Sequence, residues 1–147
     1  MPFISVTRLR VRSFFYLPQF VWRAMQSSRQ AERTPGFLGG KILREARNTF
    51  WTVTVWQDAA AMNAFRVSGT HLAAMPKLLS WCDEASVANW IQDSTELPIW
   101  AEAYRRMVQE GKPSKVNHPS PAQKANQIPA PEPGLLDRTL KPAKFRE

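Results

Sequence analysis

His71 is one of two histidines in this 147-residue chain, and the imidazole has the widest chemical range of any side chain in it. His71 stands in "SGTHLAAMPKLLSWCDEASVANW", residues 68 to 90, with the only cysteine, Cys82, and two of the six tryptophans. An imidazole with its ordinary pKa of about 6.5 can move a proton or hydrogen-bond a substrate near neutral pH. Three roles are open to His71. In the first, Ser68 or Thr70 caps a helix, and His71 in its first turn bonds a backbone carbonyl or faces water. In the second, it points into a cavity beside Trp56 as a general base. The third is a metal ligand, but no His, Asp or Glu follows at i+3 or i+4. Met75, at i+4, suits only haem or Cu(I).

Other conspicuous residues carry weaker signals. Cys82 precedes Asp83 and Glu84, an acidic setting that raises a thiol pKa and argues against a nucleophile. It cannot close an internal disulfide, and no Cys/His set has zinc-site spacing. "GFLGG", residues 36 to 40, lacks the phosphate-loop pattern and is expected to allow a bulge or a close sheet contact. Arg8, Arg10 and Arg12 alternate to one side of a strand. Facing a cavity they would hold an anion; on an edge they are a solvated row. Trp81, Trp90 and Trp100 read as core.

Hydrophobic periodicity places these residues on elements. "FISVTRLRVR" alternates as a strand, with Phe3, Ser5, Thr7, Leu9 and Val11 on one face. Residues 14 to 33 are spaced for a helix, 37 to 46 and 49 to 57 for two strands joined by "ARN". Asp58 begins a second helix that Gly69 breaks and that resumes near Thr70. "DEASVANWIQ" is a fourth strand, and a last helix runs from Pro98 to Gly111. Strand, helix, strand, strand, helix, strand predicts an α+β, ferredoxin-like split βαβ fold: a four-stranded antiparallel sheet with helices on one face. On the third strand Trp51, Val53 and Val55 form one row, and Phe50, Thr52, Thr54 and Trp56 the other. Neither suits exposure to water, so the uncovered face predicts a homodimer, two sheets closing as a dimeric α+β barrel with a ligand cavity between sheet and helices.

Composition bounds the function. The length suits one domain, at residues 1 to 111, followed by a Pro-rich basic tail, 112 to 147, with seven of the twelve prolines. That tail is expected to be extended and mobile, or an arm laid over another surface, anchored by Leu135, Leu136, Leu140 and Phe145. The net charge of +8 divides into +4 for each part, with no basic block, so nucleic acid is disfavoured as a partner. No apolar run reaches membrane-span or signal-peptide length, and one lone cysteine suits a reducing compartment; a cytoplasmic protein is expected.

The split pattern with "FWTVTVWQDAAAMNAFRVSGTH" resembles the dimeric α+β-barrel superfamily, which includes antibiotic-biosynthesis and haem-degrading monooxygenases. "SGTHLAAMPKLLSWCDEASVANW" is more similar still to an uncharacterised bacterial branch resembling spheroidene monooxygenase. The likeness spans about residues 3 to 110. It implies a monooxygenase-like protein that binds a small apolar ligand in the barrel cavity, with a non-catalytic dimeric binding module as the alternative. Haem is left open as a cofactor. In the haem-degrading branch a histidine, an asparagine and a tryptophan serve the cofactor, and this sequence offers Met75, Thr7 and Phe65 at those positions. Haem chemistry of that type is therefore not expected. The candidate site is His71 as catalytic residue, with Thr7, Phe50, Thr52, Trp56, Phe65 and Met75 as ligand-binding residues.

Overall fold

The computed structural model describes residues 1–132 and 136–143, without the side chain of Thr70. Leu135 and Phe145, two of the expected tail anchors, lie outside the described residues. The chain runs β1 (Phe3–Val11), α1 (Leu17–Arg33), β2 (Phe37–Glu45), β3 (Thr49–Trp56), α2 (Ala59–Arg66), α3 (Gly69–Trp81), β4 (Cys82–Ile91) and α4 (Trp100–Glu110). Three short elements follow: β5 (Lys112–Pro113), α5 (Pro121–Lys124) and β6 (Leu136–Leu140).

The α+β, ferredoxin-like order is present, but the antiparallel sheet has six strands, β5-β4-β1-β3-β2-β6, rather than four. Both added strands come from beyond residue 111 and pair with the exposed edges of β4 and β2. A sheet edge is a row of unpaired amide and carbonyl groups, and a Pro-rich segment can satisfy it over a few residues without a core of its own. Residues 112–132 and 136–143 are thus an arm laid on the body. The amides of Ser114, Asn117 and Ser120 donate to the carbonyls of Ala85, Leu79 and Asp83, and the Ala143 amide to that of Glu32.

The helices do not share one face. Trp51, Val53 and Val55 of β3, with Ile4, Val6 and Trp90, pack against Ala103 and Met107 of α4 and against Ile128 of the arm. The opposite face packs on α1, α2 and α3. The uncovered aromatic face that called for a second copy is therefore covered by the chain itself, because α4 crosses to that side after β4. The homodimer loses that rationale.

Local chemistry explains the joints. Arg47 and Asn48 both take left-handed φ, 63° and 58°, in the tight β2–β3 connection. The register of β2 shifts between Phe37 and Gly39, and a Cβ on Gly40 would lie 2.7 Å from the Val53 carbonyl, so the glycines serve a bulge and a close contact. Asp58 caps α2, accepting from the Ala61 amide at 2.9 Å.

The arginine row is neither a ligand cradle nor a solvated edge. Arg8 Nη1 donates to Glu84 Oε1 at 2.7 Å and Arg10 Nη1 to Glu84 Oε2 at 2.8 Å. Ser120 of the arm adds a 2.9 Å bond to Glu84 Oε2. Register causes this, since Arg8 and Arg10 lie opposite Ser86 and Glu84 on the face that the arm closes. Arg12, past the strand end, instead donates to the Ser80 carbonyl and the Tyr16 hydroxyl.

Candidate functional site

The helix-facing side of the sheet holds two separate aromatic clusters. Phe20, Phe50, Trp81, Val11 and Cys82 form one, and Phe37, Trp56, Met62, Ala31 and Leu140 the other. Phe50 packs on Phe20 at 4.8 Å between ring centroids and belongs to the first; Trp56 belongs to the second. Both face the helices, but six residues along a strand separate them by about 20 Å. Phe50, Trp56 and Phe65 therefore do not enclose one space, contrary to the sequence expectation.

Trp56, Phe65 and His71 do come together. Trp56 and Phe65 stack with centroids 5.2 Å apart, and Phe65 meets the His71 ring at 4.6 Å. The indole of Trp56 is fully buried, and its Nε1–H has no hydrogen-bond partner among the described residues. Buried donors are nearly always paired, so such a group calls for a reason.

His71 sits in the first turn of α3, whose start is set by a residue the sequence analysis did not single out. Gln30 of α1 donates from Nε2 to the carbonyls of Phe65, at 3.2 Å, and Ser68, at 2.8 Å. Its Oε1 accepts from the His71 amide at 2.9 Å. Gln30 thus satisfies the helix start in place of the expected Ser68 cap, while the Ser68 hydroxyl bonds back to the Ala64 carbonyl. Gly69, at φ +61°, allows the junction; a Cβ there would lie 2.9 Å from the Gln30 amide carbon. Sequence could not reveal Gln30, because its partners lie about 40 residues on.

His71 Nδ1 lies 3.3 Å from the Arg66 carbonyl. A carbonyl only accepts, so Nδ1 carries the hydrogen and Nε2 keeps a lone pair. Burial lowers the imidazole pKa from its ordinary 6.5; the bond to the Arg66 carbonyl opposes this and the Arg66 charge adds to it. The folded protein therefore holds His71 neutral at pH values where the unfolded chain begins to protonate it. The sign follows: the unfolded state binds more protons below 6.5, so this contribution is complete above that value and is lost as pH falls. Thermal stability of the parent should fall between about pH 7 and 5, and His71→Gln should flatten that slope. An unchanged slope would show that His71 does not titrate as placed.

Thr7 and Thr52 are direct cross-strand partners, as are Ser5 and Thr54 one rung away. Their half-buried threonine hydroxyls lie between the two aromatic clusters and make no hydrogen bond to another described residue. Opposite them the mid-section of α1 is small: Phe20, Ala24, Ser27 and Ala31 share a face at helical spacing, and only Phe20 among them is large. Met75 lies elsewhere, 41% exposed on the outer side of α3.

Two open cavities, about 650 and 430 Å³, are lined by none of the seven candidate residues. Met75 faces outward, and neither of these cavities is lined by His71, so neither would hold a haem against its unprotonated Nε2. Cys82 is inert: burial first, and then Asp83, push its thiol up to about 12. Trp81 and Trp90 are core, and Trp100 packs on α4's side of the sheet while donating to Asp137 at 3.1 Å.

This arrangement is an α+β, ferredoxin-like fold that several solved structures share. SnoaB, a cofactor-independent oxygenase from Streptomyces nogalater, matches with a TM-score of 0.53 at 20% identity, over 67% of this chain and 98% of SnoaB. Rv0793 from Mycobacterium tuberculosis matches at 0.58 and 9% identity, over 64% of this chain and 97% of its own. A protein described as an antibiotic biosynthesis monooxygenase matches at 0.56 and 9%, over 63% and 99%. At such identities the likeness is one of fold. By sequence the chain belongs to the family described as domain of unknown function DUF3291, whose model matches residues 16–114. Among curated protein sequences there is no match. The family match ends one residue past β5, so most of the arm lies beyond it.

Proposed function

We propose that this protein binds a small, largely apolar molecule against the helix-facing side of its sheet and acts on it as a monooxygenase-like enzyme. The indole N–H of Trp56 carries this reading: a buried donor without a partner among the described residues, in contact with the Phe65–His71 stack, is placed to meet an acceptor on a ligand. The paired hydroxyls of Thr7 and Thr52 supply further polar anchors beside apolar walls. His71, held neutral with Nε2 unprotonated, is the side chain that would accept a proton from the ligand. The fold shared with SnoaB, described as a cofactor-independent oxygenase, supports an oxygenation reaction. A face-to-face barrel of two copies would have to displace α4 and the arm, so the site is placed within one chain.

Trp56→Phe tests the reading, because it keeps the stack and removes only the donor. Mass spectrometry of protein purified from its native host should show a co-purifying apolar molecule whose occupancy falls about five- to tenfold in Trp56→Phe, the worth of one hydrogen bond. Stability should hold or rise slightly, since an unpaired buried donor is lost. Unchanged occupancy in Trp56→Phe and in Thr7→Val with Thr52→Val would sink the site.

The alternative, a binding module without catalysis, is favoured by one observation. Cys82 is locked as a thiol, and among the described residues no hydrogen bond joins His71 to an Asp or Glu side chain. Turnover that survives His71→Gln in a ligand-loaded protein would favour neither assignment of His71 and would require another base.

A further inference from the structure

No Asp or Glu occurs among residues 1–31 or between Ala59 and Cys82. Those stretches supply nearly all of α1, α2 and α3, so one whole layer of the molecule carries almost no carboxylate. Two stand at its margins. Asp58 caps α2, and Glu32, near the end of α1, accepts from the arm at Lys141. The same layer bears Arg12, Arg23, Arg29, Arg66 and Lys77. It also bears the most exposed aromatic side chains among the described residues: Phe14 is 76% exposed, Phe15 78% and Trp22 59%.

The β1–α1 loop that carries Phe14 and Phe15 is braced from below. The Arg12 guanidinium lies 4.7 Å over the Tyr16 ring and donates to the Ser80 carbonyl, and Tyr16 stacks on Trp81 at 6.5 Å. The two phenyl rings project from this base. Trp22, Arg23 and Lys77 line one groove beside it, about 430 Å³ in volume.

We propose that this face docks on a membrane surface rich in anionic lipid, with Phe14, Phe15 and Trp22 at the headgroup boundary and Arg23, Arg29 and Lys77 on the phosphates. Protruding aromatics ringed by cations without carboxylates match an interface that is apolar beneath and negative above. A second copy of the chain does not match, because a two-fold contact would set this cationic face against itself. A nucleic acid matches less well, since the aromatics stand out from the surface and do not line a groove that follows a strand.

The test uses the full chain and vesicles of phosphatidylcholine with or without phosphatidylserine. The chain should sediment with the anionic vesicles at low salt, and binding should fall at least about tenfold in high salt or on phosphatidylcholine alone. Phe14→Ser with Phe15→Ser, and separately Arg23→Glu with Lys77→Glu, should each weaken binding at least about tenfold while circular dichroism stays that of the parent. Ile99→Ser, an exposed change ahead of α4, should leave binding intact. Brominated lipid should quench the parent's fluorescence more than that of Trp22→Phe. Failure of the parent to bind anionic vesicles overturns the proposal, as does full binding by the Phe14/Phe15 variant. It is overturned equally if those phenylalanines are needed for self-association or for binding single-stranded RNA while vesicles are ignored. Loss of the small-molecule site at Trp56 would leave these outcomes unaffected.

Discussion

Glu84→Ala is expected to lower stability by about 3–5 kcal/mol, the cost of stranding a buried charge. Glu84 is the hub of the face that the arm closes, accepting from Arg8, Arg10 and Ser120. The two arginines are not equally affected. Arg10 is partly exposed and can rehydrate, whereas Arg8 is buried and cannot. Replacing Arg8 by Met in the same chain should therefore recover much of the loss, while Arg10→Met should not. Chemical denaturation of the single and double variants measures this, and additive losses for Arg8 and Glu84 would refute the coupling. The pH dependence has a definite sign. Burial opposes ionisation of Glu84, but the bonds from Arg8, Arg10 and Ser120 outweigh it and hold the pKa below its ordinary 4.5. Its contribution is thus complete above 4.5 and disappears as pH falls through the lower folded value.

Removal of residues 112–147 is expected to abolish cooperative folding of the remaining domain. The arm supplies Leu140, buried in the helix-side core and worth on the order of 2–5 kcal/mol, and Ile128, partly buried on the opposite face and worth less. It also pairs both sheet edges and closes the Arg8–Glu84 cluster. Together these losses match or exceed the roughly 5–15 kcal/mol that holds a domain folded. The measurement is calorimetric unfolding of the truncated chain beside the parent. A sharp transition near the parent's would show that the arm is an accessory. Limited proteolysis gives an independent view: the arm's first cleavage should be slow while β5 and β6 are paired, and should accelerate in Ile128→Ser.

The α+β, ferredoxin-like fold was legible because it rests on local periods. Alternation in "FISVTRLRVR" and "FWTVTVW", with Asp58 and Gly69 punctuating the helices, determines which residues face which side of a sheet, whatever covers it. The stack of Trp56, Phe65 and His71 was also within reach, since all three fall on one strand–helix–helix run. What covers each face could not be read this way. α4 has the same amphipathic signature on either side of the sheet, and only the path after β4 sends it to the face opposite α1. The arm's composition signals a segment without a core of its own, yet it is held through backbone amides, which every residue carries and no sequence pattern displays. Likewise Arg8 and Arg10 could have been a ligand cradle or a wet edge until strand register set Glu84 opposite them. Sequence by itself determined the elements and their faces, because these depend on neighbours a few residues apart. Tertiary structure alone decided the six-stranded sheet, the closed face and the partners of Arg8 and Arg10, because those depend on residues far apart in the chain, more than seventy positions for the two arginines.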